Sequence, residues 1–289
     1  MDWEDVVRRS RDVQYGRPDV VARVPRAGVR GLMVPLAGIP EGPVRLAEGS
    51  VDALVDLPPT MRGANMSRSV RAILGALEGA GSLAGFASAA AAGLLELHEY
   101  SSVAVVRVRA SAFAEVEAPA SGLRSPCRFT ALAGARAARG SGTRASLGVS
   151  VVGAIACPCG SELMRSAYGQ RDPPPTHMQR ASLTIEATPA SHTSIASLRS
   201  AALSAFSAEV RPLMKRSDEA ATIDAALSRP RFAEDAFRLA ALSFAAAHPS
   251  FPRDGSVRIR VRSMESVHGH DVVAEGTLTG EELLSLGRV

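Results

Sequence analysis

A chain of 289 residues with 46% apolar and 21% charged side chains has the composition of an ordinary globular protein, which excludes a disordered or fibrous class and allows one large domain or two smaller ones. A formal charge of +4 with only 4% aromatic residues, the arginines being scattered along the chain, disfavours a nucleic-acid groove but suits a small phosphorylated ligand held by a few convergent arginines. No run approaches the roughly 18 apolar residues that span a bilayer, and the start MDWEDVVRRS lacks a signal-peptide layout, so no membrane partner and a cytoplasmic location are expected.

In chain order, Val20 to Leu36 reads as an extended segment broken by Gly28 and Gly31, and Val44 to Leu57 as a second strand ending at Pro58 and Pro59. Ser67 is placed to cap a helix whose apolar positions Val70, Ile73, Leu74 and Leu77 recur at helical spacing, with Gly79, Gly81 and Ser82 ending it. The alanine-rich stretch Ala84 to Leu97 predicts a second helix, followed by strands over Ser102 to Val108 and near Arg128 to Leu132. After the glycine-rich break at Gly140 to Gly142, strands are predicted over Ser146 to Ala156 and Ala181 to Ala187. Helices follow over Ser194 to Val210, Asp218 to Leu227 and Phe232 to His248, then a hairpin of Val257 to Met264 with Val272 to Leu278. The order strand, strand, helices, strand, strand thus occurs twice, so a duplicated α+β unit is the economical account, with modules at residues 1–140 and 141–289.

Three stretches carry residues suited to chemistry. Cys157-Pro158-Cys159 stands at the end of an apolar strand; the two thiols are too close together for an ordinary disulfide. One thiolate is a metal ligand in waiting, although zinc turns usually place two to four residues between cysteines, and a pair of buried structural cysteines is the plainer alternative. His177 opens the next strand and joins Cys157 if the two strands pair. In Met264 to His270, regular alternation sets Glu265 opposite His268 and His270, while a turn at Gly269 would make the segment a polar hairpin instead. The acidic pairs Asp218-Glu219 and Glu234-Asp235 fall at helix starts, where capping accounts for Asp218 and one of the second pair and leaves Glu219 and Glu234 for function.

Taken together, Val55-Asp56-Leu57-Pro58, Arg62-Gly63-Ala64-Asn65-Met66-Ser67-Arg68, Cys157-Pro158-Cys159, Thr176-His177-Met178-Gln179-Arg180, Lys215-Arg216-Ser217-Asp218-Glu219 and Glu265-Ser266-Val267-His268-Gly269-His270 resemble the GTP cyclohydrolase IB family, in a form similar to its archaeal-type branch. The resemblance implies an α+β tunnelling fold, two tandem modules of antiparallel sheet with helices on one face, and a homo-oligomer, tetramer or dimer, whose barrels close across interfaces. It implies one divalent metal per site, Fe(II), zinc or manganese, with Cys157, His177 and His268 at ligand positions and Glu219 beside them. It further implies Cys157 and Glu265 as catalytic residues and Glu234 as the anchor of the purine edge. Arg62, Arg68, Arg180, Lys215, Arg216 and Asn65 then face the nucleotide. The implied reaction opens the guanine ring of GTP, releases formate and leaves a 7,8-dihydroneopterin phosphate, either the triphosphate or a cyclic phosphate, for pterin or folate synthesis.

One departure stands out. The family motif has histidine where this chain has Asn65, so a group able to move protons is replaced by one that is not. A catalytically altered or retired protein of the same fold, binding a purine nucleotide or a partner without this turnover, is therefore the alternative, and a closed structural zinc site is a third reading.

Overall fold

A computed structural model describes residues 1–169 and 172–286. Among these the strands follow one hydrogen-bonded order, β1-β2-β3-β4-β5-β6-β8-β9, with β7 against β5. They are β1 (Val24–Pro35), β2 (Arg45–Leu57), β3 (Val103–Glu117), β4 (Arg124–Ala138), β5 (Gly142–Ala156), β6 (Met178–Thr188), β7 (Ala208–Glu209), β8 (Ser256–Ser263) and β9 (Val272–Thr279). The helices are α1 (Trp3–Arg9), α2 (Met66–Leu77), α3 (Leu83–Leu97), α4 (Pro158–Tyr168), α5 (Ile195–Ser204), α6 (Arg216–Leu227), α7 (Ala233–Ala247) and α8 (Gly280–Ser285). The class is α+β with a large antiparallel sheet, as the sequence predicts. No helix of the described residues is long and apolar enough to cross a membrane.

β3 and β4 run far beyond their predicted bounds. Their inward positions are largely alanine, Ala104, Ala110 and Ala112 on β3 and Ala131, Ala133, Ala135 and Ala137 on β4, all buried. Alanine has weak strand propensity and small apolar bulk, so the alternation that marks a half-buried strand is muted here. The predicted helix over Ser194 to Val210 stops at Ser204, where Arg231 donates to the carbonyls of Ser204 and Phe206 at 2.6 and 2.8 Å, and Ala208 and Glu209 join β5 instead.

The chain forms two compact units, one of residues 1–34, 49–108 and 134–145 and one of residues 35–48, 109–133 and 146–289. In the first, α2 and α3 pack together, and a Cβ on Gly93 would lie 3.6 Å from the Cβ of Ala72, ordinary contact that lets the backbones approach. Ser82 begins α3 rather than closing α2, accepting from the Gly85 amide at 3.0 Å. The buried Asp56 accepts from the amides of Ser102 and Val103 and the hydroxyl of Ser102, each within 2.8 Å. Burial pushes the Asp56 carboxyl upward, but these bonds and Arg23 outweigh it and hold it below the ordinary value. Gly28, at φ +152°, passes so close to β2 that a Cβ would sit 2.2 Å from the Ala53 carbonyl oxygen, which fixes glycine there.

The second unit is built on β5 paired antiparallel with β6, from Leu147↔Ala187 to Ala156↔Met178, then β6 with β8 and β8 with β9. Along β8, Val257, Ile259 and Val261 are buried while Arg258, Arg260 and Arg262 are exposed. α7 covers the buried side, and Arg260 meets Glu275 at 3.2 Å on the other. This is the period-two partition of a sheet with one face packed and one wet.

Each unit contains the same local device. His98 follows α3, bonds the Leu94 carbonyl through Nδ1 at 2.8 Å and meets Ser69 of α2 through Nε2 at 3.4 Å. His248 follows α7, bonds the Phe244 carbonyl through Nδ1 at 2.9 Å and meets Ser197 of α5 through Nε2 at 3.0 Å.

Candidate active site

The register of β5 and β6 decides where the site lies. Ala156 faces Met178 as the last pair of the ladder, and the next residue on each side is Cys157 and His177. The Cys157 amide donates to the His177 carbonyl at 3.1 Å, and the Thr176 hydroxyl donates to the Cys157 carbonyl at 2.9 Å. Cys157 also caps α4, with its sulfur 3.4 Å from the Gly160 amide. Proline at the first position of that helix fits its fixed φ and missing donor, a signal present in the sequence but not read as a helix start. Gly160 is confined, since a Cβ there would lie 2.3 Å from Thr176 Oγ1 and 3.2 Å from His177 Cδ2.

The edge of this pair is continued by Gln179. Its Oε1 lies 3.0 Å from His177 Nδ1, and its Nε2 donates to Glu265 Oε1 at 3.1 Å and Ser263 Oγ at 3.2 Å. The Ser263 hydroxyl donates to the same Glu265 oxygen at 2.6 Å, and Ser266 Oγ lies 3.2 Å from His177 Nδ1. Cys157, His177 and Glu265 are thus brought into one neighbourhood. Gln179, Ser263 and Ser266 complete it, and none of the three was singled out by sequence reasoning, although Gln179 and Ser266 stand inside the quoted motifs.

His268 and His270 occupy the exposed loop that joins β8 to β9, their rings stacked with centroids 5.5 Å apart. The ladder closes at Ser263↔Val272, so the regular strand that would set Glu265 opposite the two histidines does not extend this far, and the polar hairpin is what forms. Among the described residues no three His, Cys, Asp or Glu side chains gather closely enough to hold a metal. Cysteine and histidine are nonetheless donors that borderline divalent ions accept, and the backbone bond sets Cys157 next to His177, so these two fit part of such a site, while among the described residues His268 and Glu219 are not joined to them.

At the start of α6, Asp218 rather than Glu219 is the anchor. Its carboxylate accepts from the Lys215 amide at 2.8 Å, the Ala120 and Ser121 amides at 2.9 and 2.8 Å, and the Ser121 hydroxyl at 2.7 Å. Burial raises its pKa, and these four bonds more than reverse that, holding the carboxyl far below the ordinary range. Asp235 caps α7 through the Phe232 amide at 3.0 Å. Glu219 and Glu234 are left exposed in the first turns of their helices, as are Lys215, Arg216 and Arg180 on the surface.

In the other unit Asn65 is the N-cap position of α2, not Ser67, and makes no side-chain cap. Its amide nitrogen is turned to Gln14 Oε1, and its Oδ1 accepts from the Tyr100 hydroxyl at 3.4 Å. Arg68 donates to the Leu97 carbonyl at 2.9 Å with its guanidinium 5.8 Å from the centre of the Tyr15 ring. Arg62 is exposed, its backbone amide held by Gln14 and Gly16 carbonyls.

A family model described as Type I GTP cyclohydrolase folE2 matches residues 11–274. The chain is 32% identical over 308 residues to GTP cyclohydrolase MptA 1 of Methanocella arvoryzae, covering 96% of this chain and 98% of that protein. It is 34% identical over 270 residues to GTP cyclohydrolase MptA of Aeropyrum pernix, covering 91% and 94%, and 31% identical over 303 residues to that of Methanoculleus marisnigri, covering 95% and 96%. Among solved structures it overlaps a uricase from Bacillus fastidious with TM-score 0.49 and 13% identity, covering 92% of this chain and 96% of that one.

Proposed function

Because the chain belongs to the type I GTP cyclohydrolase folE2 family, we propose that it opens the guanine ring of GTP by hydrolysis, releasing formate and forming a 7,8-dihydroneopterin phosphate, triphosphate or cyclic. Within that family we assign it to the IB group and its archaeal-type branch, an assignment supported by near full-length similarity to three archaeal proteins named MptA. The observation that carries the reading is the register that sets Cys157 beside His177, with Glu265 one amide away through Gln179.

In this proposal Cys157 and His177 would hold one divalent ion, Fe(II), zinc or manganese, with His268 as the third ligand and Glu219 beside it only if these two, which stand apart from the pair among the described residues, were brought to it. When bound, such an ion supplies Lewis acidity toward water near neutral pH. Glu265 accepts and returns protons at the purine, and Glu234 orients the base by accepting hydrogen bonds from its N1–H and exocyclic amine. Arg62, Arg68, Arg180, Lys215 and Arg216 offer cations for the triphosphate. We also propose tandem tunnelling-fold modules at residues 1–140 and 141–289, working in the cytoplasm as a homotetramer or homodimer. Support for the duplication comes from the repeated element order and from the matched pairs His98 with Ser69 and His248 with Ser197.

Metal-reconstituted protein incubated with GTP is expected to release formate and generate pterin fluorescence, with Cys157→Ala inactive and Glu234→Ala impaired in substrate binding. A second reading, a fold that binds purine nucleotide without turnover, is favoured by Asn65, whose amide is tied to Gln14 and Tyr100. Tight GTP binding with no formate would select it.

A further inference from the structure

The bonds around Gln179 have only one consistent direction. The Glu265 carboxylate accepts, so the amide nitrogen of Gln179 must face it, and that nitrogen is shared with Ser263 Oγ, whose own hydroxyl proton is directed to Glu265. Turning the amide over would set its oxygen against a carboxylate oxygen at 3.1 Å, with no donor between them. The Gln179 oxygen therefore faces His177 Nδ1 at 3.0 Å. An amide oxygen only accepts, which requires Nδ1 to carry the proton. Ser266, 3.2 Å from the same nitrogen, is free to accept as a second partner. A neutral imidazole protonated at Nδ1 presents its lone pair at Nε2, the state a metal ligand needs.

We infer that Gln179 is a positioning residue: it transmits the fixed orientation of Glu265 to His177 and holds that imidazole as the Nδ1–H tautomer, with Nε2 ready to ligate. The assignment of Nε2 to a metal rests on the functional reading above, whereas the tautomer does not. Free imidazole side chains favour the Nε2–H form, so an Nδ1–H ring at this position is a property that the surrounding bonds impose.

The full chain, labelled with 15N in its six histidines, tests this without metal, the His177 signals being identified by their loss in His177→Ala. Wild type should show Nδ1 protonated and Nε2 bare. Gln179→Met, close in volume, should release the ring toward Nε2–H and weaken zinc binding roughly 10- to 100-fold. Gln179→Glu keeps an acceptor toward His177 while opposing Glu265, so it should restore the Nδ1–H tautomer and near-native zinc affinity yet leave formate release impaired. A Gln179 that merely fills space would give the opposite order, with Met tolerated and Glu disruptive. Wild-type His177 protonated at Nε2, or a tautomer unmoved in Gln179→Met, overturns the inference, and the wild-type spectrum alone can overturn it even if the variants do not fold. Absence of zinc binding by wild type would count against the functional reading alone.

Discussion

His98 and His248 hold equivalent places in the two halves of the chain, each closing a helix through Nδ1 to the carbonyl four residues back and reaching a serine on the neighbouring helix through Nε2. The equivalence continues in the backbone, where the amide of Ser101 donates to His98 and that of Phe251 to His248, at 2.9 and 3.0 Å. The segments read Leu-His-Glu-Tyr-Ser and Ala-His-Pro-Ser-Phe, so nothing but the histidine is shared in the letters.

Removing either ring deletes one bond to the carbonyl four residues back, which keeps its backbone amide donor, and one to a serine on the neighbouring helix, and it empties the buried space that the ring fills. His98→Ala and His248→Ala are each expected to lower unfolding free energy by about 1 to 3 kcal/mol, measured as a shift in denaturant midpoint at unchanged slope. Loss at only one of the two would break the equivalence.

Gly160→Ala forces a methyl group against Thr176 and His177. The expected result is a stability loss of about 1 to 3 kcal/mol from overpacking together with reduced formate release, because the Thr176 bond to Cys157 must yield. Adding Thr176→Ala removes the obstructing hydroxyl and should recover much of both losses. Unchanged thermal melting and turnover in Gly160→Ala would show that the strand ends tolerate movement.

Asn65→Ala strips Gln14 and Tyr100 of a partner. A destabilisation of about 1 to 3 kcal/mol is expected, read by chemical denaturation, and a variant as stable as wild type would show that the side chain holds nothing in place.

Asp218 has a folded pKa depressed below its unfolded value. Such a carboxyl contributes stability that is present above the unfolded value of about 3.9 and is lost as the pH falls through the folded value. Asp218→Asn should therefore be less stable than wild type at pH 7, with the gap narrowing once the pH drops below about 4. Asp56 is shifted in the same direction, so the double variant should show a flatter acid limb still. Parallel curves for wild type and Asp218→Asn across the acid range would contradict the assignment.

Much of the helix content is legible because its faces recur at helical spacing, and the place of Asp218 and of the Glu234-Asp235 pair at helix starts points to capping, which Asp218 and Asp235 perform. The proximity of Cys157 and His177 was legible too, since consecutive strands commonly pair and these two residues stand at the facing ends, although α4 lies between them. The long reach of β3 and β4 was not, because alanine on the inner face carries too little contrast with its neighbours. Gln179 escaped notice for a different reason: an amide titrates in no useful range and ligates no metal, so only coordinates reveal that it stands between an acid and an imidazole. Serine and asparagine are about equally good caps, so the letters do not separate Ser67 from Asn65; Asn65 takes the position, with its side chain turned elsewhere.

The turn between β3 and β4 spans the amides of Ala120 and Ser121, both held by a carboxylate 98 and 97 residues further along. Surface turns ordinarily lengthen and shorten with little consequence. This one does not have that latitude: an insertion there would unfasten the beginning of α6, so natural length variation should avoid it.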